Sequence, residues 1–130
     1  MNQKPVTASC AFVFDDKGQI LAIENRRGWD IPGGRVEPGE TPEETVVREI
    51  LEEASVVVEN PQLVYLQDFV DRGWHIAYYR CDVVEVKPFH AEFETSKREF
   101  MTIDDFLSCY GGEDLAETKS LIEKALKLKS

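Results

Sequence analysis

The sequence is poor in the side chains that hold soft metals or covalent scaffolds, with two histidines and three cysteines among 130 residues. Cys10, Cys81 and Cys109 are odd in number and far apart, which fits neither a disulfide framework nor a zinc cluster. They read as buried, unreactive thiols of a reduced, cytoplasmic chain. His75 and His90 are isolated and read as structural or solvated. Long apolar runs are also missing. The longest stretch without a charge is Pro5 to Phe14, ten residues, whereas a membrane-spanning helix needs about 20. Only Lys4 precedes polar Thr7 and Ser9, so no secretory leader is expected. Positive charge is scarce: 15 Lys and Arg stand against 25 Asp and Glu, a net −10. Such a surface repels a phosphate backbone, which argues against a nucleic-acid polymer as partner.

What is present suffices for a packed core. The hydrophobic fraction is 42%, with seven Phe, four Tyr and two Trp, which excludes intrinsic disorder. The length fits one domain, 1–130. No repeat or low-complexity stretch is visible. Val6 to Asp15 reads as a strand, Asp16-Lys17-Gly18 as a turn, and Gln19 to Asn25 as the hairpin partner. Asn25 to Trp29 reads as a polar loop, and Ile31-Pro32-Gly33-Gly34 as a rigid kink. Gln62 to Val70, Trp74 to Val86 and Arg98 to Thr102 read as further strands. Asp104 to Tyr110 reads as a short helix capped by Thr102 or Asp104, and Asp114 to Leu128 as an amphipathic helix with Leu115, Ile122, Ala125 and Leu126 on one side. Helices between and after strands predict α/β layering.

The acidity is concentrated. From Arg35 to Glu59, eight glutamates stand against Arg35 and Arg48, a net −6 within 25 residues. Thr41-Pro42-Glu43-Glu44 is a capping box with Pro at the first helical position, and predicts a helix from Pro42 to about Ala54. At 100° per residue, Glu49, Glu52 and Glu53 share an arc of about 100°, flanked by Arg48. Val46, Val47, Ile50, Leu51 and Ala54 fall on a separate arc, between about +60° and +200° from Glu49, as a core stripe. Three carboxylates within a turn repel one another. Two readings are open on spacing alone: a site for a hard divalent cation such as Mg²⁺, Mn²⁺ or Ca²⁺, or an acidic solvent face.

The spacing itself is specific. Gly34, five residues, Glu40, seven residues, then Arg48-Glu49-Ile50-Leu51-Glu52-Glu53-Ala54-Ser55-Val56 resembles the Nudix box, G-x5-E-x7-R-E-U-x-E-E-x-G-U, at eight of nine specified positions. With 16 glutamates in 130 residues, a chance match of that quality is on the order of one in 10⁵ per chain, which sets the resemblance above coincidence. Trp29-Asp30-Ile31-Pro32-Gly33-Gly34 is similar to the usual run-in. The departure is Ser55, where the pattern has Gly; a left-handed Ser there costs about 1 kcal/mol.

The resemblance implies a Nudix α/β/α sandwich with a mixed β-sheet, and hydrolysis of a nucleoside diphosphate linked to another moiety. It implies Glu49, Glu52 and Glu53 as metal ligands, with a backbone carbonyl of Gly33 or Gly34 as a further one. The implied ion is Mg²⁺, with Mn²⁺ as a substitute. Glu40 and Arg48 are implied as the pair that fixes the box, Arg48 orienting a catalytic glutamate. Glu53 and Glu49 are candidate general bases within the box, and Glu94 is the first outside it, ahead of Glu92 and Glu99; for these three a plain surface role stands alongside. Arg26, Arg27 and Arg35 are candidate phosphate contacts, with ordinary surface cations as the alternative. Trp29 is a candidate base-stacking residue or a half-buried loop side chain. Trp74, Tyr78 and Phe93 either line a base pocket or join the core.

No proline stands near Asp71 or Arg72, as an ADP-ribose-type signature would have, and Trp74 stands near the position of a dinucleoside-polyphosphate tyrosine. A nucleoside triphosphate or other nucleotide derivative remains as the expected small-molecule partner, for a monomer or homodimer. Two other functions compete. A Nudix-fold nucleotide-binding or sensor domain without catalysis conflicts with the complete Glu49, Glu52 and Glu53 set. A relative of isopentenyl diphosphate isomerase needs an activated cysteine, which neither Cys10 nor Cys81 resembles.

Overall fold

The structure is a computed structural model that describes residues 5–69, 74–91 and 95–128. Glu92, Phe93 and Glu94 lie outside the described residues, as does the side chain of Trp74. Among the described residues, seven strands form one mixed sheet. In chain order these are β1 (Val6–Phe14), β2 (Ile20–Asn25), β3 (Gly28–Asp30), β4 (Gly33–Arg35), β5 (Val56–Phe69), β6 (Trp74–Val86) and β7 (Lys97–Met101). Three helices are interspersed: α1 (Pro42–Ala54), α2 (Ile103–Cys109) and α3 (Leu115–Leu126). The spatial order is β3-β2-β1-β6-β5, with β4 paired to β1 and β7 paired to β2. Among the strand pairings of the described residues only β1–β6 is parallel, and Trp29 forms an isolated parallel bridge with Tyr110.

The layering follows from strand alternation. Successive side chains of a strand point to opposite faces. On β1, Ala11 and Val13 join one core cluster while Phe12 and Phe14 join another. On β2, Leu21 and Ile23 divide from Ile20 and Ala22 in the same way. The first cluster takes Val46, Ile50 and Ala54 of α1, and the second takes Phe106 of α2 with Leu121, Ile122 and Ala125 of α3. The sheet is therefore covered on both faces, which is why β1 is apolar throughout its second half rather than alternating.

Local chemistry sets the element ends. Asp15 Oδ1 accepts from the amides of Lys17 and Gln19, each at 2.9 Å, and Gly18 turns at φ 77°, closing the β1–β2 hairpin. Thr102 caps α2 and Asp114 caps α3 through their side-chain oxygens. Ser55 ends α1 in the left-handed region, at φ 56° and ψ 38°, where the family pattern has glycine.

Several expectations are corrected. Leu51 is 43% exposed and lies off the α1 core stripe, while Thr45 is buried. On α3, Leu115 and Leu126 are about half exposed and Leu121 turns inward; the buried arc runs along the helix through Leu121, Ile122 and Ala125. Cys10 and Cys109 are only partly buried, although all three cysteines are free thiols. The segments read as a loop and a kink carry the short strands β3 and β4. The strand expected from Gln62 starts at Val56, its pairing with β6 shifting register between Glu59 and Gln62 with Asn60 at φ 57°.

Candidate active site

Two elements carry the site, α1 and β4. The N-terminus of α1 is fixed by a reciprocal capping box: Glu44 N donates to Thr41 Oγ1 at 3.1 Å and Thr41 N donates to Glu44 Oε1 at 2.9 Å. Ser9 Oγ on β1 donates to Pro42 O at 2.9 Å, so the helix start is tied to the central strand. β4 lies beside the same strand, with Ser9 opposite Gly34 and Cys10 opposite Gly33. The helix face carrying the glutamates thus meets the backbone of β4.

Arg48 organises that face. Its Nε donates to Glu40 Oε2 at 2.7 Å and its Nη2 to Glu40 Oε1 at 3.0 Å, a forked pair that fixes both planes. Nη1 donates to Glu49 Oε1 at 2.8 Å and Glu52 Oε2 at 3.3 Å, while Nη2 also reaches Arg35 O at 3.1 Å. Thr45 Oγ1 donates to Glu40 Oε1 at 2.7 Å, which explains a buried threonine on this side of the helix. The Arg48 and Thr45 hydrogen bonds hold the Glu40 carboxyl down at about 2. Arg48 is pushed further above its already high value, first by Glu40.

The two glycines make room. A Cβ on Gly33 would stand 2.3 Å from Cys10 Cβ and 2.6 Å from Ser9 O. A Cβ on Gly34 would stand 2.4 Å from Glu49 Cδ. The bare backbone lets Gly33 N donate to Glu53 Oε1 at 2.9 Å. Burial pushes the Glu53 carboxyl up to about 7 against that hydrogen bond, and Glu49, Asp30 and Glu52 add repulsion. Glu49 is also raised, by burial first, despite the Arg48 contact that lowers it.

Glu53 faces a cleft of about 680 Å³ that Arg27, Arg35, Asp30, Gly33 and Tyr78 also line. A second hollow of about 480 Å³ shares Arg27, Asp30 and Tyr78 and extends to the start of α3. Asp30 Oδ1 accepts from Ile31 N at 2.7 Å, and burial raises its carboxyl. Burial raises the Cys10 thiol well above its ordinary value, with Asp30 and Glu53 adding to it, and pushes Cys81 up to about 12. Neither thiol is activated as a nucleophile.

The structure brings Gly33, Gly34, Arg48, Glu49, Glu52 and Glu53 together, with Arg27 and Arg35 on the cleft wall. Arg26 is exposed on the turn before β3. Trp29 packs partly buried against the α2–α3 cluster. Tyr78 lines the cleft and donates to Gln67 Oε1 at 3.0 Å. Glu99 is exposed on β7. Asp30 carried no assigned role in the sequence; its place in the run-in to Gly34 was the available signal.

The glutamates do not converge on one point as they stand. Among the described residues, no three Asp, Glu, His or Cys side chains are grouped so as to hold one ion. Glu49 and Glu52 turn to Arg48, and Glu53 to Gly33. The donor set still fits a hard divalent cation: three carboxylates on one helix face, two of them raised by burial, beside a glycine backbone that leaves space for Glu49.

The family model of the NUDIX domain matches residues 3–121. An uncharacterized Nudix hydrolase of Bacillus subtilis, YvcI, is 38% identical over 69 residues, covering 52% of this chain and 44% of its own. An 8-oxo-dGTP diphosphatase of Haemophilus influenzae is 33% identical over 69 residues, covering 48% and 51%. The matched stretch spans about half the length of these relatives. An ADP-ribose pyrophosphatase from Streptococcus suis superposes with a TM-score of 0.77 at 25% identity, over 95% of this chain and 92% of that one. A Nudix hydrolase from Nitrosomonas europaea, at 18% identity, shares the fold with a TM-score of 0.78 over 95% and 73%. The match over residues 3–121, together with the glutamate face and glycine pair, places the chain in the Nudix family.

Proposed function

We propose that the chain is a Mg²⁺-dependent pyrophosphohydrolase, with Mn²⁺ as a substitute, that splits the diphosphate linkage of a nucleoside diphosphate derivative. A nucleoside triphosphate is the first class to test. The observation that carries this reading is Glu53, held on the Gly33 amide at 2.9 Å in a cleft that also presents Arg27 and Arg35. One relative is named an 8-oxo-dGTP diphosphatase and one structural neighbour an ADP-ribose pyrophosphatase, names that support a phosphoanhydride as the bond class.

Glu49, Glu52 and Glu53 would hold the ion, with the carbonyl of Gly33 or Gly34 as a further ligand. When bound, it neutralises phosphate oxygens and lowers the pKa of a coordinated water. Arg27 and Arg35 orient the anionic substrate across the cleft. A carboxylate, Glu53 or Glu49 of the box or Glu94 beyond it, takes the proton of the attacking water. The new P–O bond forms as the bridging P–O bond breaks, and the second phosphate leaves with its oxygen. Arg48 orients Glu49 through its 2.8 Å hydrogen bond. The three free thiols fit a cytoplasmic setting, and the chain acts as a monomer or homodimer.

A panel of nucleotides, nucleotide sugars and dinucleotides with Mg²⁺ and Mn²⁺ tests the reading. At least one should release phosphate-containing products, and Glu53→Gln should cut that rate by a factor on the order of 10³. A Glu94→Gln variant that loses as much assigns the base to Glu94. Binding without turnover across the panel contradicts the hydrolase and favours a sensor.

A further inference from the structure

The last turn of α1 carries Glu52 and Glu53 but no basic residue of its own. Carboxylates at that end oppose the helix dipole. The cation comes from another element. Arg98, on β7, donates from Nη1 to Ala54 O at 2.9 Å, to Lys87 O at 2.6 Å and to Ser55 O at 3.4 Å. Its guanidinium also lies over the Phe89 ring, 5.5 Å from the centroid.

Ser55 closes the same junction. Lys87 N donates to Ser55 O at 2.9 Å, and His90 N donates to Ser55 Oγ at 3.3 Å. The hydroxyl tie is one that the glycine of the family pattern would not supply. One guanidinium therefore fastens two segments: the end of the glutamate helix and the stretch 87–90.

We propose that Arg98 is a positioning residue for hydrolysis: by gripping the carbonyls of Ala54, Ser55 and Lys87 it fixes where Glu52 and Glu53 stand against β4, and Ser55 completes the clamp. This rests on the function proposed above. A plain helix cap would set stability alone. A positioning clamp also sets metal affinity and turnover of the folded protein, because displacing a catalytic group by about 1 Å costs on the order of 100-fold.

The test compares the full chain with Arg98→Gln and Arg98→Lys, using Mn²⁺ as the metal probe and the nucleotide that the panel selects. Each value is referred to folded protein. Arg98→Gln should weaken Mn²⁺ binding about tenfold and lower kcat about 10- to 100-fold, with KM within about threefold. Arg98→Lys should recover part of both, since it keeps the charge on a shorter side chain that reaches the carbonyls less fully. Amide exchange should quicken in 51–55 and 87–91 together. Unchanged kcat and Mn²⁺ affinity with only a lower Tm would overturn the positioning role. A wild-type chain that neither binds Mn²⁺ nor turns over any nucleotide contradicts the hydrolase instead; unchanged exchange in both segments of Arg98→Gln then overturns the clamp by itself.

Discussion

The Glu49 carboxyl fills the space that a side chain at Gly34 would need: a Cβ on Gly34 would lie 2.4 Å from the Glu49 carboxyl carbon. The obstacle is the tip of a flexible side chain, so Gly34→Ala should fold and push Glu49 aside. Its Tm should stay within a few degrees of wild type while Mg²⁺ affinity and turnover fall about 10- to 100-fold. Gly33→Ala meets Cys10 Cβ and Ser9 backbone instead. It should lose about 2 kcal/mol or more of stability in urea unfolding. Equal stability losses in the two variants would contradict this division.

Glu53 carries a stability cost of its own. Its carboxyl is raised to about 7 in the fold from 4.5. The charged form is disfavoured in the folded state, so the contribution is absent below pH 4.5 and destabilises progressively as pH rises to about 7. Glu53→Gln removes it while keeping an acceptor for Gly33 N. The metal-free variant should be more stable than wild type by about 1–3 kcal/mol at pH 8 and equal to it near pH 4. Saturating Mg²⁺ should stabilise wild type and not the variant. Denaturant unfolding at the two pH values, with and without Mg²⁺, checks both statements.

Glu40 works in the opposite sense. Its folded carboxyl sits at about 2 against 4.5, first because of the Arg48 fork. The stability it provides is full above pH 4.5 and is lost as pH falls toward 2. Glu40→Gln should therefore lower stability at neutral pH and flatten the acid limb of the pH–stability curve. Arg48→Lys should do so in part, because an ammonium cannot match the forked geometry. Acid titration followed by circular dichroism reads the slope.

The helix that bears the chemistry was legible because three independent signals agreed: the Thr41–Glu44 capping box, Pro42 at the first position, and the apolar spacing of Val46, Ile50 and Ala54. The left-handed turn at Ser55 was legible from the family pattern and is present. What escaped depends on contacts across the fold. Thr45 is buried because Glu40 accepts its hydroxyl, a fact no periodicity contains. Leu51 faces outward although its angle placed it in the stripe. The strand read from Gln62 begins at Val56 because its pairing with β6 continues through a register shift between Glu59 and Gln62. Arg98 looked like an ordinary strand residue, since its three carbonyl partners lie more than ten positions away. The glutamates' turn toward Arg48, rather than toward one another, is likewise a property of the assembled site.

The central claim is that Glu49, Glu52 and Glu53 together would hold a divalent ion. A crystal grown with Mn²⁺ and measured at its anomalous edge tests it directly. The account predicts an anomalous peak about 2.0–2.2 Å from oxygens of these three carboxylates. No peak there at saturating Mn²⁺ would contradict it.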